Sequence, residues 1–168
     1  MPRKALAAIA AVYLVLLGSP PAAADSVNAR LDRMYKLINQ IRKKHNLGPL
    51  MANAKLSLAA ANHAKDIAEH DLFGHRGSDG SHLEDRLKRV GYKYKLAAEN
   101  VAGGLESPEK TVDSWMNSAP HRHNMLDPNM CRIGLGYAFL KDDGGVYTYH
   151  HYWTIVLARP PGAFCPVN

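Results

Sequence analysis

The stretch Trp115-Met116-Asn117-Ser118-Ala119-Pro120-His121-Arg122-His123-Asn124-Met125-Leu126-Asp127-Pro128-Asn129-Met130-Cys131-Arg132-Ile133-Gly134-Leu135-Gly136 sets a histidine between a helix and a strand. Proline has no backbone donor and biases the residue before it away from the α region, so Pro120 ends the helical run that carries Trp115. His121 is therefore expected just past a helix end. Ile133 to Phe139 reads as a strand, and Gly134 and Gly136 leave room there for a second backbone or a ligand to come close.

Upstream, the chain divides by periodicity. Val27, Leu31, Met34, Ile38 and Ile41 fall at helical spacing between Ser26 and Lys44. Asn46, Gly48 and Pro49 mark the stop. A second helix is expected over Ala54 to Glu69, with Leu56, Ala60, His63, Ile67 and His70 along one stripe. Both histidines on that stripe read as hydrogen-bonded core residues rather than ligands. Phe73 to Gly80 is a loop by composition, and small neighbours leave the His75 ring accessible, as a functional group or an idle surface one. Ser81 with Glu84 spells a capping box opening a short helix to Val90, closed by Gly91.

Leu96 to Gly103 is a short apolar run broken by Glu99 and Asn100. A buried carboxylate needs a cation, a metal, several donors or a proton, so Glu99 must have a partner. Ser107-Pro108 opens another helix, serine as cap and proline in the first turn. That explains the Ser-x-x-Lys pattern ending at Lys110 without penicillin-binding chemistry, whose companion motifs are missing. Asp142 to Gly145 reads as a hairpin turn and Tyr147 to Leu157 as the returning strand. Its alternation does not decide which face is buried.

At the amino end, Arg3 and Lys4 precede an apolar run from Ala5 to Leu17 and a small-residue site at Ala22-Ala23-Ala24. Residues 1–24 are thus expected to be a secretory signal peptide, too short in its apolar part to span a bilayer, with residues 25–168 as one domain. Without the leader the chain loses two of 21 basic residues and none of 15 acidic ones, leaving a formal charge of +4. There is no run of like charge suited to nucleic acid, and Arg42-Lys43-Lys44 and Lys88-Arg89 read as solvated helix faces. Export makes a disulfide between Cys131 and Cys165 the expected state, contributing about 3 to 4 kcal/mol through its loop of roughly 34 residues.

His75, Glu99 and His121 are too far apart in sequence for any spacing rule to join them. The order of motifs, however, resembles the bacterial branch of the CAP superfamily, which includes the cysteine-rich secretory, antigen five and pathogenesis-related proteins. The resemblance rests on Leu37-Ile38-Asn39 with Arg42, Phe73-Gly74-His75, Asp79-Gly80-Ser81 with Asp85-Arg86, and Gly91-Tyr92. It continues through Ala98 to Ala102, Ser107-Pro108-Glu109, Trp115 to Ser118, His121-Arg122 with Asn124-Met125-Leu126, Ile133 to Tyr137, and Tyr152-Trp153-Thr154.

The resemblance implies an α+β fold, a three-layer α-β-α sandwich with a small, mainly antiparallel central sheet. It implies a cleft lined by two histidines and two acids, able in some members to hold a divalent metal. His75, Glu99 and His121 match three of these four positions, and either Glu84 or Asp85 supplies the fourth. Imidazoles with a carboxylate suit zinc better than calcium or magnesium, and binding should weaken as the rings protonate, about pH 6 to 7. The expected protein is a secreted or periplasmic monomer with no transmembrane segment in the mature chain. Its cleft would take a divalent metal or a small or apolar ligand, or dock a cell-envelope component, without catalysis. The competing expectations are a metal-assisted hydrolase of peptides or peptidoglycan and a purely structural disulfide-stapled domain.

Overall fold

Two glycines explain how the layers meet. A Cβ at Gly134 would overlap the backbone of Leu56 and Ser57, and one at Gly136 the backbone of Ala60 and Ala61. The helix that holds Leu56 and Ala60 therefore lies directly on the strand that holds the two glycines. The room left by the missing side chains is taken by a second backbone, not by a ligand.

The computed structural model describes residues 26–165; the expected signal peptide lies outside them. In chain order the elements are α1 (Val27–Lys44), β1 (Met51–Ala52), α2 (Ala54–Glu69), α3 (Leu83–Arg89), β2 (Leu96–Gly103), α4 (Pro108–Asn117), α5 (Ala119–Leu126), β3 (Arg132–Phe139) and β4 (His151–Arg159). The sheet order is β1-β3-β4-β2, with the short β1 parallel to β3 and the remaining pairs antiparallel. One layer of helices packs Leu56, Ala59, Ala60 and Leu87 against Val156 and Ala158. The opposite layer packs Met34, Ile38, Val112, Trp115 and Met125 against Ile133, Trp153, Ile155 and Leu157. This is the three-layer α-β-α arrangement.

Strand β4 is internal to the sheet and covered on both sides, so every residue from Tyr152 to Ala158 is buried. The alternation there carries no inside and outside to read. The strand also starts later than its sequence suggests. Instead of a tight hairpin, the chain from Lys141 to His150 runs back to Asp71, whose carboxylate accepts from the Val146 and Tyr147 N–H groups at 2.7 and 2.8 Å.

Two local expectations change. Arg42 is not on a solvated face: it is 1% exposed, and its guanidinium donates to the carbonyls of Gly48, Met125, Asp127 and Met130. His82, not Ser81, is the cap of α3, with Asp85 accepting from the His82 N–H at 3.0 Å, so Asp85 rather than Glu84 serves the helix start. Pro120 separates α4 from α5 but sits in the first turn of α5, where its missing N–H has no partner to lose. His121 therefore does follow the end of the Trp115 helix, and it also stands in the first turn of the next one. The Cys131–Cys165 disulfide is present, with Cα atoms 5.1 Å apart.

Candidate functional site

Glu99 enters the core because β2 is buried from that residue to Ala102. The residue is 6% exposed, and its carboxylate does not stand alone. Arg86, projecting from α3, places Nη2 at 2.9 Å from one oxygen and 2.8 Å from the other. The remaining Arg86 amino group donates to the carbonyls of His75 and Ser81, both at 3.1 Å. One guanidinium thus ties the loop carrying His75 to the strand carrying Glu99.

His75 completes the arrangement. Its Nδ1 is 3.0 Å from Glu99 Oε1, and an ionised carboxylate can only accept, so Nδ1 carries the proton. The Nε2 lone pair then faces away from Glu99, on a side chain 58% exposed. A hollow of about 420 Å³ adjoins the ring, lined among others by Phe73, Arg76, Ser78 and Tyr147. On the buried side, His63 donates from Nε2 to the Gly74 carbonyl at 2.9 Å and lies 3.7 Å from Glu99 Oε1. His63 is a hydrogen-bonded core residue, as its helix position suggests, but it also belongs to this network. Its stripe-mate His70 is exposed instead, and bonds the Asp66 carbonyl one turn back.

His121 reaches the same neighbourhood through the backbone. Asn100 donates to the His121 carbonyl at 3.0 Å, and Asn124 donates to Asn100 at 2.9 Å. The His121 ring bonds Ser118 Oγ through Nδ1 at 2.9 Å, so its Nε2 is also uncommitted among the described residues. Glu84 and Asp85, the two alternatives for a second acid, both stay at the surface of α3. The side chain that α3 sends to Glu99 is Arg86.

Electrostatics follow from these contacts. Burial alone would raise the Glu99 pKa, but the His75 hydrogen bond and the His63 and Arg86 charges together hold it below the usual carboxylate value. The Glu99 hydrogen bond raises the His75 pKa. Burial lowers the His63 pKa against the opposing pull of the Glu99 charge. Burial, and then the neighbouring His75 charge, lower that of His121.

Among the described residues no group of three or more His, Cys, Asp or Glu side chains is arranged to hold an ion. Glu99 is engaged by Arg86 through both oxygens and by His75. The groups left uncommitted are two imidazole Nε2 atoms, one of them backed by a carboxylate in the manner of metal-binding histidines. By donor type, imidazole nitrogens are ligands that a zinc-type ion takes, and Glu99 stands behind His75 rather than beside it as a third ligand.

A three-layer α-β-α sandwich is the fold shared with solved SCP-domain proteins. The chain belongs to the cysteine-rich secretory protein family, CAP, whose model matches residues 35–157. It is 36% identical over 126 residues to the Bacillus subtilis protein YkwD, covering 75% of this chain and 48% of that one. Among solved structures it resembles an extracellular SCP-domain protein of Bacillus anthracis, with 28% identity and a TM-score of 0.69 over 79% of this chain and 41% of that one. An outer surface protein of Borrelia burgdorferi shares the fold at 20% identity and a TM-score of 0.72, over 81% of this chain and 96% of that one. The chain thus spans about half the length of YkwD and less than half of the anthracis protein. No described helix is long and apolar enough to cross a membrane.

Proposed function

We propose that the chain is an exported, noncatalytic binding module whose cleft presents His75 and His121 to a divalent metal of the zinc type, with Glu99 orienting His75 from behind. The observation that carries this reading is the hydrogen bond from His75 Nδ1 to Glu99, which leaves Nε2 free as a ligand atom. The extracellular and outer-surface relatives support export. Glu99 makes a poor general base while Arg86 holds both its oxygens. Among the described residues, the one hydroxyl bonded to a histidine of this network, Ser118, meets the Nδ1 of His121 as a local contact three residues back. Binding therefore suits the site better than hydrolysis. When bound, the ion would supply open coordination positions for an anionic or carbonyl-bearing partner.

Zinc titration of the mature protein by calorimetry tests this. Stoichiometric binding that weakens at least about ten-fold in His75→Ala and in His121→Ala, with both variants folded, supports it. Binding unaffected by either change refutes it. Turnover of peptidoglycan or casein by wild type that disappears in both variants would replace binding by metal-assisted hydrolysis.

A further inference from the structure

The molecule carries a second feature, away from the histidines, that the cleft does not use. Where the first turn of α2, the end of α3 and the loop into β2 converge, there is a recess of about 420 Å³ lined by Lys88, Gly91, Tyr92, Lys93 and Tyr94, with Glu84 and Asp85 on the same wall. Lys55 reaches its rim, with Nζ 2.9 Å from the Gly91 carbonyl. Arg132 lies close enough to act on the Tyr92 phenol. Lys95 and Arg159 are joined at the neighbouring strand ends by a backbone hydrogen bond of 2.7 Å.

None of these six cations lies within ion-pair distance of a described carboxylate, whereas Lys36, Lys65, Lys110 and Arg89 each meet one. Two carboxylates, Glu84 and Asp85, share the wall with Lys88 and Lys93, and the surplus of positive charge comes from the four cations around them, Lys55, Lys95, Arg132 and Arg159. Helix capping does not explain the pattern. A cation in a first turn opposes the helix dipole, and that is where Lys55 sits. Lys93 and Lys95 are in a loop, and Arg132 is in a strand.

We propose that this recess binds a linear phosphate-bearing polyanion, one backbone threading past Lys55, Lys88 and Lys93 against the tyrosine rings. Ammonium groups are compact point charges well suited to successive phosphates. The repeated charges along a groove, without an ion pair among the described residues, favour a polymer over a single phosphate ion. The recess is concave, a form that a flexible chain can follow and the plane of a bilayer cannot. The site is independent of the cleft and needs no metal.

The test uses inorganic polyphosphate as probe, with orthophosphate and phosphatidylglycerol–phosphatidylcholine vesicles as the other arms, on the mature protein. Two charge-matched double variants separate a local site from net charge: Lys88→Glu with Lys93→Glu, and Lys36→Glu with Lys65→Glu. The site requires salt-sensitive binding of polyphosphate, a loss of about ten-fold or more in the first pair and less than about two-fold in the second. It also requires His75→Ala to bind polyphosphate as wild type does. Equal losses in the two pairs, no polyphosphate binding, orthophosphate binding as tightly as the polymer, or vesicles captured more tightly than polyphosphate would each overturn it.

Discussion

Arg86 Nη2 contacts both carboxylate oxygens of Glu99, at 2.9 and 2.8 Å, with the two side chains 7% and 3% exposed. Removing one partner of such a pair strands the other charge out of water, which costs far more than the pair itself contributes. Arg86→Met should therefore destabilise the fold by about 3 to 5 kcal/mol, read from urea unfolding. Adding Glu99→Gln to that variant should restore part of the loss. A double variant as unstable as the sum of the singles would contradict the pairing.

Stability should depend on pH in three stages, each with its own sign. The raised His75 pKa contributes stability that is full below its unfolded value of about 6.5 and is lost as pH rises through the folded value. The lowered His63 pKa acts the other way: below about pH 6.5 the unfolded ring takes a proton that the buried ring refuses, so stability falls. The lowered Glu99 pKa contributes stability present above about pH 4.3 and lost as pH falls through its folded value. Urea midpoints between about pH 3 and 9 should peak near pH 6.5. The alkaline decline should shrink in His75→Asn and the acid-most decline in Glu99→Gln.

Gly136→Ala should cost about 1 to 3 kcal/mol although it adds a single methyl group. The Cβ would meet the backbone of Ala60 and Ala61, which a rotamer change cannot move. A thermal unfolding midpoint unchanged from wild type would show that α2 can lift from β3 without cost.

Replacing both Cys131 and Cys165 by serine should lower stability by about 3 to 4 kcal/mol, from the loop entropy released in the unfolded chain. Zinc affinity should be unchanged, since neither cysteine contacts the histidine network. Loss of zinc binding in a folded variant would tie the carboxyl tail to the cleft.

Local signals account for those parts of the fold that depend on local physics. The bounds of α2, the Ser107 cap and the two close-approach glycines follow from periodicity, side-chain capping and size, all visible within a few residues. What escaped was decided by distant partners. His63 looks like a satisfied core ring, and Arg86 carries no local sign of its role, until Glu99, brought in by β2, makes them its neighbours. Ser81 with Glu84 and His82 with Asp85 are adjacent frames for the start of α3, and the structure uses the second, with Arg86 and Leu87 buried. On β4 the pattern failed for a different reason: helices cover both faces, so no polarity contrast remains along the strand. His75 and Glu99 were legible as a pair only through the motif order, because the contact closes a gap of 24 residues.

The Arg42 guanidinium fastens α1 to carbonyls as far as 88 residues away. A chain that emerges from its amino end makes this helix early and must then wait, because the last acceptors arrive only with Met125 to Met130. Until they do, a charged side chain has its intended burial place unfinished. Completion of the domain is thereby coupled to delivery of its final third, and a product cut short before Met130 would keep that arginine in water.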